Sequence, residues 1–496
     1  MPETSILATD AYKFSMAQAG FPLRPETFYF SFRRGGFQYV PFDLAEELRS
    51  LARALVPTPE DHAFARAHGY GWTEAMEVAM QSIEDLEIEA VPAHTWVWER
   101  EPILTVSGPS FAVSWLEPML LWLNYPIQLA THLIESVRLQ GGAPDPAALT
   151  ATCEEHVAII GRVAEAVGID PGPVTREDEA YETRVGQKVA ALVAAAGGDP
   201  DRIFEVGMRS AVCRQQHRIA LTACREHGVT RTSNVALARE LSMTPVGTMG
   251  HEHVQRWGAD GPAFMAMRDM RCGAPSYLLD TFDTMGSGIQ AALRVMRQRD
   301  HACSIRYDSG NKFIQYLHAC ELFSEAGLCP AHVLEDGLDV EATRHFEQLR
   351  AFTEWPAASQ LYGFGGSIVA RPMSNPLTRD RVSAVYKLSE TAGEPRMKFG
   401  NERGLGKTSV PGRPVVWRRL RGSGPIGIIG QAGEPVREDY VQLSGNPDAV
   451  AQLRLCNLLD FERTRAIAES DREAELSPAT AALTDQIIDT RQEPES

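Results

Sequence analysis

The chain has 496 residues, 44% of them apolar and 23% charged, with a formal net charge of −17. That length can bury a large core divided over two or three domains. The acidic balance excludes a general binder of nucleic acid or acidic membrane, so an anionic substrate must meet local arginines, lysines and backbone amides.

Eight cysteines without a C-x-x-C pair read as reduced thiols of a cytoplasmic protein, not as a disulfide frame or zinc site. The opening residues show no basic region followed by an apolar core, so a cytoplasmic location is expected. The most apolar run, 119–130, contains Asn124 and Pro126 and is too short to span a bilayer.

Residues 7–21 predict a helix capped by Thr9 or Asp10, with Tyr12 in its first turn. Aromatic and polar residues alternate over 26–42, the period of a half-buried strand. Helical spacing returns over 43–55, and 90–109 reads as two strands joined by a charged turn. A long apolar helix is expected from Phe111 to just before Pro126, with a second over 131–137. The composition shifts over 139–201, which reads as a partly helical, peripheral insertion. From 204 to 368 short strands alternate with helices, and each strand exit is polar or glycine-rich. This pattern predicts an α/β barrel with its active site at the C-terminal ends of the strands. Strands and loops follow after 371, then helices over 448–469 and 477–491. The expected divisions are an N-terminal α+β domain (1–138), the helical insertion (139–201), the barrel (202–385) and C-terminal strands and helices (386–496).

The stretch 232–257 reads as a helix ending at Pro245, a short strand, and then Gly247-Thr248-Met249-Gly250-His251-Glu252-His253. A histidine after such a turn suits a phosphate contact or a phosphoryl acceptor; it equally suits a buried histidine at a strand end. The exit Tyr362-Gly363-Phe364-Gly365-Gly366-Ser367 is either a phosphate cradle of backbone amides or a tight turn. Arg306 and Asp308 share a face of one strand end, as an ion pair or as ligands of pyrophosphate and of ribose or Mg²⁺. Asp336 and Gly337 lie in an acidic exit that binds ribose hydroxyls or a metal, or else leads into an N-cap at Asp339. The segment 280–284 reads first as capping. Arg209 reads as a carboxylate ligand or a surface residue, and Tyr12 as a ring-stacking or core residue. His251 and His253 lack a third ligand at a diagnostic spacing, so no protein-borne metal site is expected.

Taken in order, TDAYKFSMAQAGF, PILTVSGP, TSNVALARELSMTPVGTMGHEHVQ, DTFDT, IRYDSG, YGFGGS and VYKLSE resemble the nicotinate phosphoribosyltransferase family over some four hundred residues. The resemblance implies an irregular α/β barrel of the type II phosphoribosyltransferase kind, with an N-terminal α+β domain that also packs with C-terminal segments. It implies transfer of phosphoribose from 5-phosphoribosyl 1-pyrophosphate to nicotinate, with ATP as co-substrate and Mg²⁺ held mainly through substrate phosphates. His251 is then the phosphorylated histidine and Thr248 lines its site. Tyr12 resembles a residue that stacks on the pyridine ring, often across a dimer interface, so a homodimer with shared sites is expected. Arg306 and Asp308 fall in the R-x-D-S-G segment, Gly365, Gly366 and Ser367 in the 5′-phosphate cradle, and Arg209 or Ser233 is expected to hold the nicotinate carboxylate. No nucleic-acid or membrane partner is implied.

The chain departs from the family at Val206, where an aromatic is usual, at Arg231, where glycine is common, and in the acidic exit 334–339. Its 139–201 segment is also long. A nicotinamide or other pyridine phosphoribosyltransferase is the alternative on the same fold. An inactive phosphoribosyl-binding regulator is the alternative of another class, hinted at by Val206.

Overall fold

The computed structural model describes residues 5–270, 275–298, 303–370, 377–398, 408–456 and 474–490. The first elements are α1 (Ala11–Gln18), β1 (Pro25–Phe32), β2 (Gln38–Val40) and three helices, α2 (Leu44–Arg53), α3 (Pro59–Ala67) and α4 (Glu74–Gln81). Strands β3 (Glu87–Ala90), β4 (Thr95–Val97) and β5 (Leu104–Pro109) follow. The expected long helix is three short ones, α5 (Ser110–Trp115), α6 (Glu117–Trp122) and α7 (Asn124–Leu133). Pro126 does not end a helix; it lies in the first turn of α7, where its missing N–H breaks no ladder bond.

The strand predicted as half-buried is buried almost throughout, because α5 covers one face of β1 and Val410 donates to the Tyr29 hydroxyl at 2.8 Å on the other. The two strands read within 90–109 do not pair with each other. β4 pairs with β2 in a small ribbon, whereas β5 lies between β1 and β3.

Over 139–201 lie β6 (Thr150–Ala151), α8 (Glu154–Val167), β7 (Thr175–Arg176) and α9 (Asp178–Ala195). This segment is not peripheral. Tyr181, Val185, Val189 and Leu192 of α9 are buried in the barrel core, and the Tyr181 hydroxyl donates to the Val369 carbonyl at 2.7 Å.

The barrel region alternates strands and helices as β8 (Ile203–Glu205), α10 (Arg214–Glu226), β9 (Arg231–Thr232), α11 (Val235–Leu241) and β10 (Thr244–Pro245). Helices α12 (His251–Trp257) and α13 (Asp260–Met270) then precede β11 (Ser276–Leu278) and α14 (Ile289–Arg297). It closes with β12 (Ser304–Tyr307), α15 (Lys312–Glu325), β13 (Ala331–Leu334), α16 (Val340–Phe352), β14 (Gln360–Phe364) and the short α17 (Gly366–Val369). The seven strands pair in parallel in the order β10-β9-β8-β14-β13-β12-β11. The sheet is a curled half-barrel whose edge strands are not paired to each other among the described residues. The Thr248 hydroxyl donates to the Ser276 carbonyl at 3.2 Å and bridges that gap. The helix expected to run to Pro245 stops at Leu241, because Ser242 turns into the left-handed region at φ 54°.

The chain then returns to the N-terminal sheet through α18 (Arg379–Val382), β15 (Ala384–Thr391) and β16 (Glu394–Pro395). That antiparallel sheet has the order β16-β15-β1-β5-β3, so the expected packing of C-terminal segments on the N-terminal domain is direct strand pairing. The expected boundary at 385/386 falls inside β15. Strands β17 (Pro414–Arg419), β18 (Gly427–Gln431), β19 (Tyr440–Gln442) and β20 (Glu475–Leu476) make a third sheet. Helix α19 (Ala449–Leu455) covers part of the expected 448–469 helix, whose remainder lies outside the described residues, and α20 (Pro478–Thr490) is the last described element. Among the described residues no helix is long and apolar enough to cross a membrane.

One buried ion pair joins the sheet to the His251 helix. Arg256 of α12 meets Glu26 of β1 through two hydrogen bonds, 2.6 and 2.8 Å, and the Thr391 hydroxyl donates to the same carboxylate at 2.9 Å. Replacing Glu26 with alanine strands the Arg256 guanidinium in the core and costs about 3–5 kcal/mol. Denaturant unfolding monitored by tryptophan fluorescence measures this; a loss below about 1 kcal/mol would contradict the pairing.

Candidate functional site

The strand exits of the half-barrel meet α1 and β15 around two adjoining cavities of about 220 and 290 Å³. The smaller has apolar walls from Phe204, Val206, Tyr386 and Leu388, with Tyr12, Arg209 and Arg306 among its polar groups. The larger gathers Arg33, Arg209, Arg379, Lys387 and Lys398 opposite Gly365, Gly366 and Ser367. Val206, Arg209, His251, Asp308, Glu335 and Lys387 line both.

His251 is the first residue of α12, following Gly250. Its Nε2 lies 2.7 Å from Lys398 Nζ and its Nδ1 lies 3.1 Å from the Thr281 hydroxyl. An ammonium only donates, so Nε2 accepts and the ring proton sits on Nδ1. Burial, with Lys398 next to it, holds the imidazole well below its ordinary pKa. The result is a neutral ring with a lone pair at Nε2, 3.6 Å from Asp308 and 3.8 Å from Asp280. His253 is not part of this cluster; it is buried and its Nε2 lies 3.0 Å from the Ala263 carbonyl.

The glycines before His251 serve a close approach. A Cβ on Gly247 would lie 2.6 Å from the Tyr12 amide nitrogen, and one on Gly250 would lie 3.3 Å from the Tyr12 ring. Only glycine lets α1 seat Tyr12 against the turn. The Tyr12 hydroxyl donates to Glu117 at 2.8 Å, and the Arg209 guanidinium lies 5.8 Å from the ring centre. Lys13 bridges Glu117 at 2.7 Å and Glu252 at 2.9 Å, which fixes α1, α6 and α12 to one another. Burial works against the Glu117 carboxylate, but Lys13 and Arg209 hold its pKa well below the ordinary value.

Three expectations are corrected here. Ser233 lines the smaller cavity, but its hydroxyl is committed to Asp10 at 2.6 Å, so it is not available to a substrate carboxylate. Asp10 consequently makes no side-chain cap on α1. The neighbouring Thr232 hydroxyl bonds Glu205 at 2.7 Å and Asn234 caps α11, so the whole Thr-Ser-Asn run is occupied in bracing. Arg306, expected at pyrophosphate, lines the apolar cavity and not the cationic one. It is flanked by Asp308 at 3.3 Å and Glu335 at 3.9 Å.

The segment 280–284 is the third correction. Asp283 caps the following turn by accepting from the Met285 amide, but Asp280 is fully buried facing His251 and accepts from Ser309. Asp339 does cap α16. Asp336 and Gly337 both take left-handed backbone, φ 59° and 66°, and border the cationic cavity with the glycine turn. Tyr12, Thr248, Arg209, Asp308 and His251 all line the smaller cavity.

Missed from sequence were Arg33, Arg379, Lys387, Lys398, Glu117 and Glu252, whereas Asp280 and Glu335 lie in exits that the sequence did single out. Lys387 stands in the VYKLSE segment, whose strand pairing hid its role. Burial, offset partly by Glu117, pushes the Lys387 ammonium down to about 7. Burial pushes the Glu335 carboxyl up to about 7 despite Arg306 next to it.

Mg²⁺ requires oxygen ligands. His251, Asp280 and Asp308 bring ligand atoms within 4.8 Å of one another, and Asp280 Oδ1 and Asp308 Oδ1 are buried without hydrogen-bond partners. The two carboxylates fit the ion; Asp308 was open to that reading from its strand end, and Asp280 joins it only through tertiary packing.

The half-barrel of parallel strands is a fold shared with solved nicotinate phosphoribosyltransferases. No family model matches the chain. It is 27% identical over 272 residues to a nicotinate phosphoribosyltransferase of Mycobacterium tuberculosis, covering 53% of this chain and 52% of that one. A Saccharomyces cerevisiae protein described as a nicotinate phosphoribosyltransferase superposes with a TM-score of 0.59 at 16% identity, covering 82% of this chain and 95% of that one. The Porphyromonas gingivalis nicotinate phosphoribosyltransferase gives 0.56 at 19% identity with the same coverage. The chain spans about half the length of the curated relatives it matches. In sequence and in fold, its similarity is to the nicotinate phosphoribosyltransferases.

The two groups held near 7 give the cationic cavity a pH dependence. As pH rises through about 7, Lys387 loses its charge and Glu335 gains one, so both changes make the cavity more negative. Inorganic pyrophosphate should therefore bind about tenfold more weakly at about pH 8 than at about pH 6 beyond its own titration, and Glu335→Gln should flatten part of that slope. Calorimetric titration reads it; tighter binding at the higher pH would refute the assignment.

Proposed function

We propose that this chain transfers the phosphoribosyl group of 5-phosphoribosyl 1-pyrophosphate to nicotinate, forming nicotinate mononucleotide and pyrophosphate. The carrying observation is the joining of an apolar-walled cavity holding Tyr12 and Arg306 to a cavity holding five cationic side chains. A flat aromatic acid suits the first and a polyphosphate suits the second.

In the reaction the bond from the anomeric carbon to pyrophosphate breaks, and the pyridine nitrogen supplies the electron pair of the new carbon–nitrogen bond. Arg33, Arg379, Lys387 and Lys398 offset the charge building on the departing pyrophosphate. The glycine turn and the Asp336-Gly337 backbone hold the 5′-phosphate and ribose end. Arg306 receives the nicotinate carboxylate, and Tyr12 covers the ring in place of the aromatic absent at Val206. Mg²⁺, when bound at Asp280 and Asp308, would neutralise phosphate charge. Once bound phosphate draws Lys398 away from Nε2, the neutral His251 ring suits attack of Nε2 on the γ-phosphorus of ATP, releasing ADP, with water later returning the ring to its free state.

Arg306→Ala should raise the KM for nicotinate about 10- to 100-fold, the worth of one charge-assisted contact, with less effect on kcat. An unchanged KM would move the carboxylate elsewhere. Incubation with γ-labelled ATP should leave an acid-labile label on His251 that His251→Ala lacks; turnover with no label there would end the coupling.

A second reading has one observation in its favour. Glu335 beside Arg306 offers an acceptor to a carboxamide, so nicotinamide is the competing substrate. Side-by-side turnover of nicotinate and nicotinamide separates them.

Within one chain Tyr12 already packs against the turn before His251. Mixed Tyr12→Ala and His251→Ala chains should recover no activity. Recovery on mixing would mean that partners exchange these residues.

A further inference from the structure

The first turns of α8 and α10 face one another away from the cavities. Cys153 and Cys213 are the N-cap residues of these helices, and both are buried, 0% and 1% exposed. The two helix starts exchange caps. The Glu155 amide donates to Gln215 Oε1 at 2.9 Å, and the Gln215 amide donates to Glu155 Oε2 at 2.8 Å. Gln216 accepts from the Val212 amide at 2.7 Å and donates to the Thr152 hydroxyl at 3.1 Å. Between these bonds the two sulfurs lie 3.5 Å apart.

We propose that Cys153 and Cys213 form a dithiol modification site that hydrogen peroxide closes to an intrachain disulfide, stapling α8 to α10. The reciprocal caps hold the sulfurs in register, and reaching a bond length of about 2.05 Å needs an approach of about 1.5 Å in all. Two helix N-termini point their positive ends at the pair, which favours a thiolate there. The thiols divide that effect: the hydrogen bond from Cys213 lowers the Cys153 pKa, while burial raises that of Cys213 well above its ordinary value. Cys153 is the attacking sulfur.

The Cys153 thiolate attacks one peroxide oxygen, the O–O bond breaks, and the departing hydroxide takes up a proton to leave as water. Cys213 then gives up its proton and its sulfur attacks the Cys153 sulfenic acid, breaking the S–O bond and releasing a second water. Two thiols and one hydrogen peroxide become one disulfide and two waters. Burial selects a small oxidant over a bulky disulfide reagent. The staple ties a helix of the 139–201 segment to the helix that follows Arg209.

The test uses the full reduced chain treated with hydrogen peroxide, alkylated in denaturant and mapped without reduction. The expected result is a linked Cys153–Cys213 peptide pair, two hydrogens lighter than the free thiols, while the buried Cys224 and Cys320 are recovered alkylated. Cys213→Ser should give no link and leave a Cys153 sulfenic acid that a 1,3-diketone, added with the denaturant, traps. The oxidised chain should melt several degrees above the reduced one, a rise that Cys213→Ser lacks. Full alkylation of Cys153 and Cys213 when the exposed Cys329 is already oxidised would overturn the proposal. So would a link without any rise in melting temperature, since the staple would then hold nothing together.

Discussion

Lys13 is the constraint on which the site depends. A fully buried ammonium is tolerated only when paired, and this one is held by two carboxylates on different helices, Glu117 and Glu252. Glu117 also takes the Tyr12 hydroxyl and faces Arg209, while Glu252 also accepts from Ser114 at 2.5 Å. The residue before Glu252 is His251. The same charges that make burial of Lys13 possible therefore set the ring stack, the first turn of α12 and the loop bearing Arg209. Neutralising any member takes a partner from another buried charge, so the short TDAYKFS run acts as one unit with the barrel mouth.

The acidity of the whole chain makes the positive cavity a local construction. Arg33, Arg379, Lys387 and Lys398 come from the segments of the N-terminal sheet, and the glycine turn and acidic exits come from the half-barrel. Neither part carries a complete polyanion site. The sheet side contributes four of the five cations and the barrel contributes Arg209 and shape, and β15 brings them together because it pairs with β1 while leading directly from α18.

The barrel portion of the fold was legible because its signal is local: short apolar strands, helical periods and glycine or acid at each exit. His251, Asp308, Gly365 and Asp336 could be found in this way, since each stands at such an exit. What could not be read depends on contacts distant in sequence. Nothing near Lys398 in the chain says that it will lie 2.7 Å from His251. Ser233 looked like a ligand because its partner Asp10 stands 223 positions away. Asp280 looked like a cap because an acid before a helix usually is one, and only tertiary packing turns it inward. The burial of β1 on both faces was hidden for the same reason, since its outer cover comes from the loop at Val410.

The strand pairing of β1 with β15 also bears on how the chain acquires its shape. Glu26 and Thr391, joined by a hydrogen bond across these strands, are 365 positions apart. During synthesis β1 must wait, with one backbone edge open, until the strands of the half-barrel have emerged. Long-range pairings of this kind fold slowly and leave sheet edges open to the wrong partners. The length of that exposure is set by the order of the segments along the chain, so the residues that complete the mouth of the cavities are also those that close the open edge of the sheet.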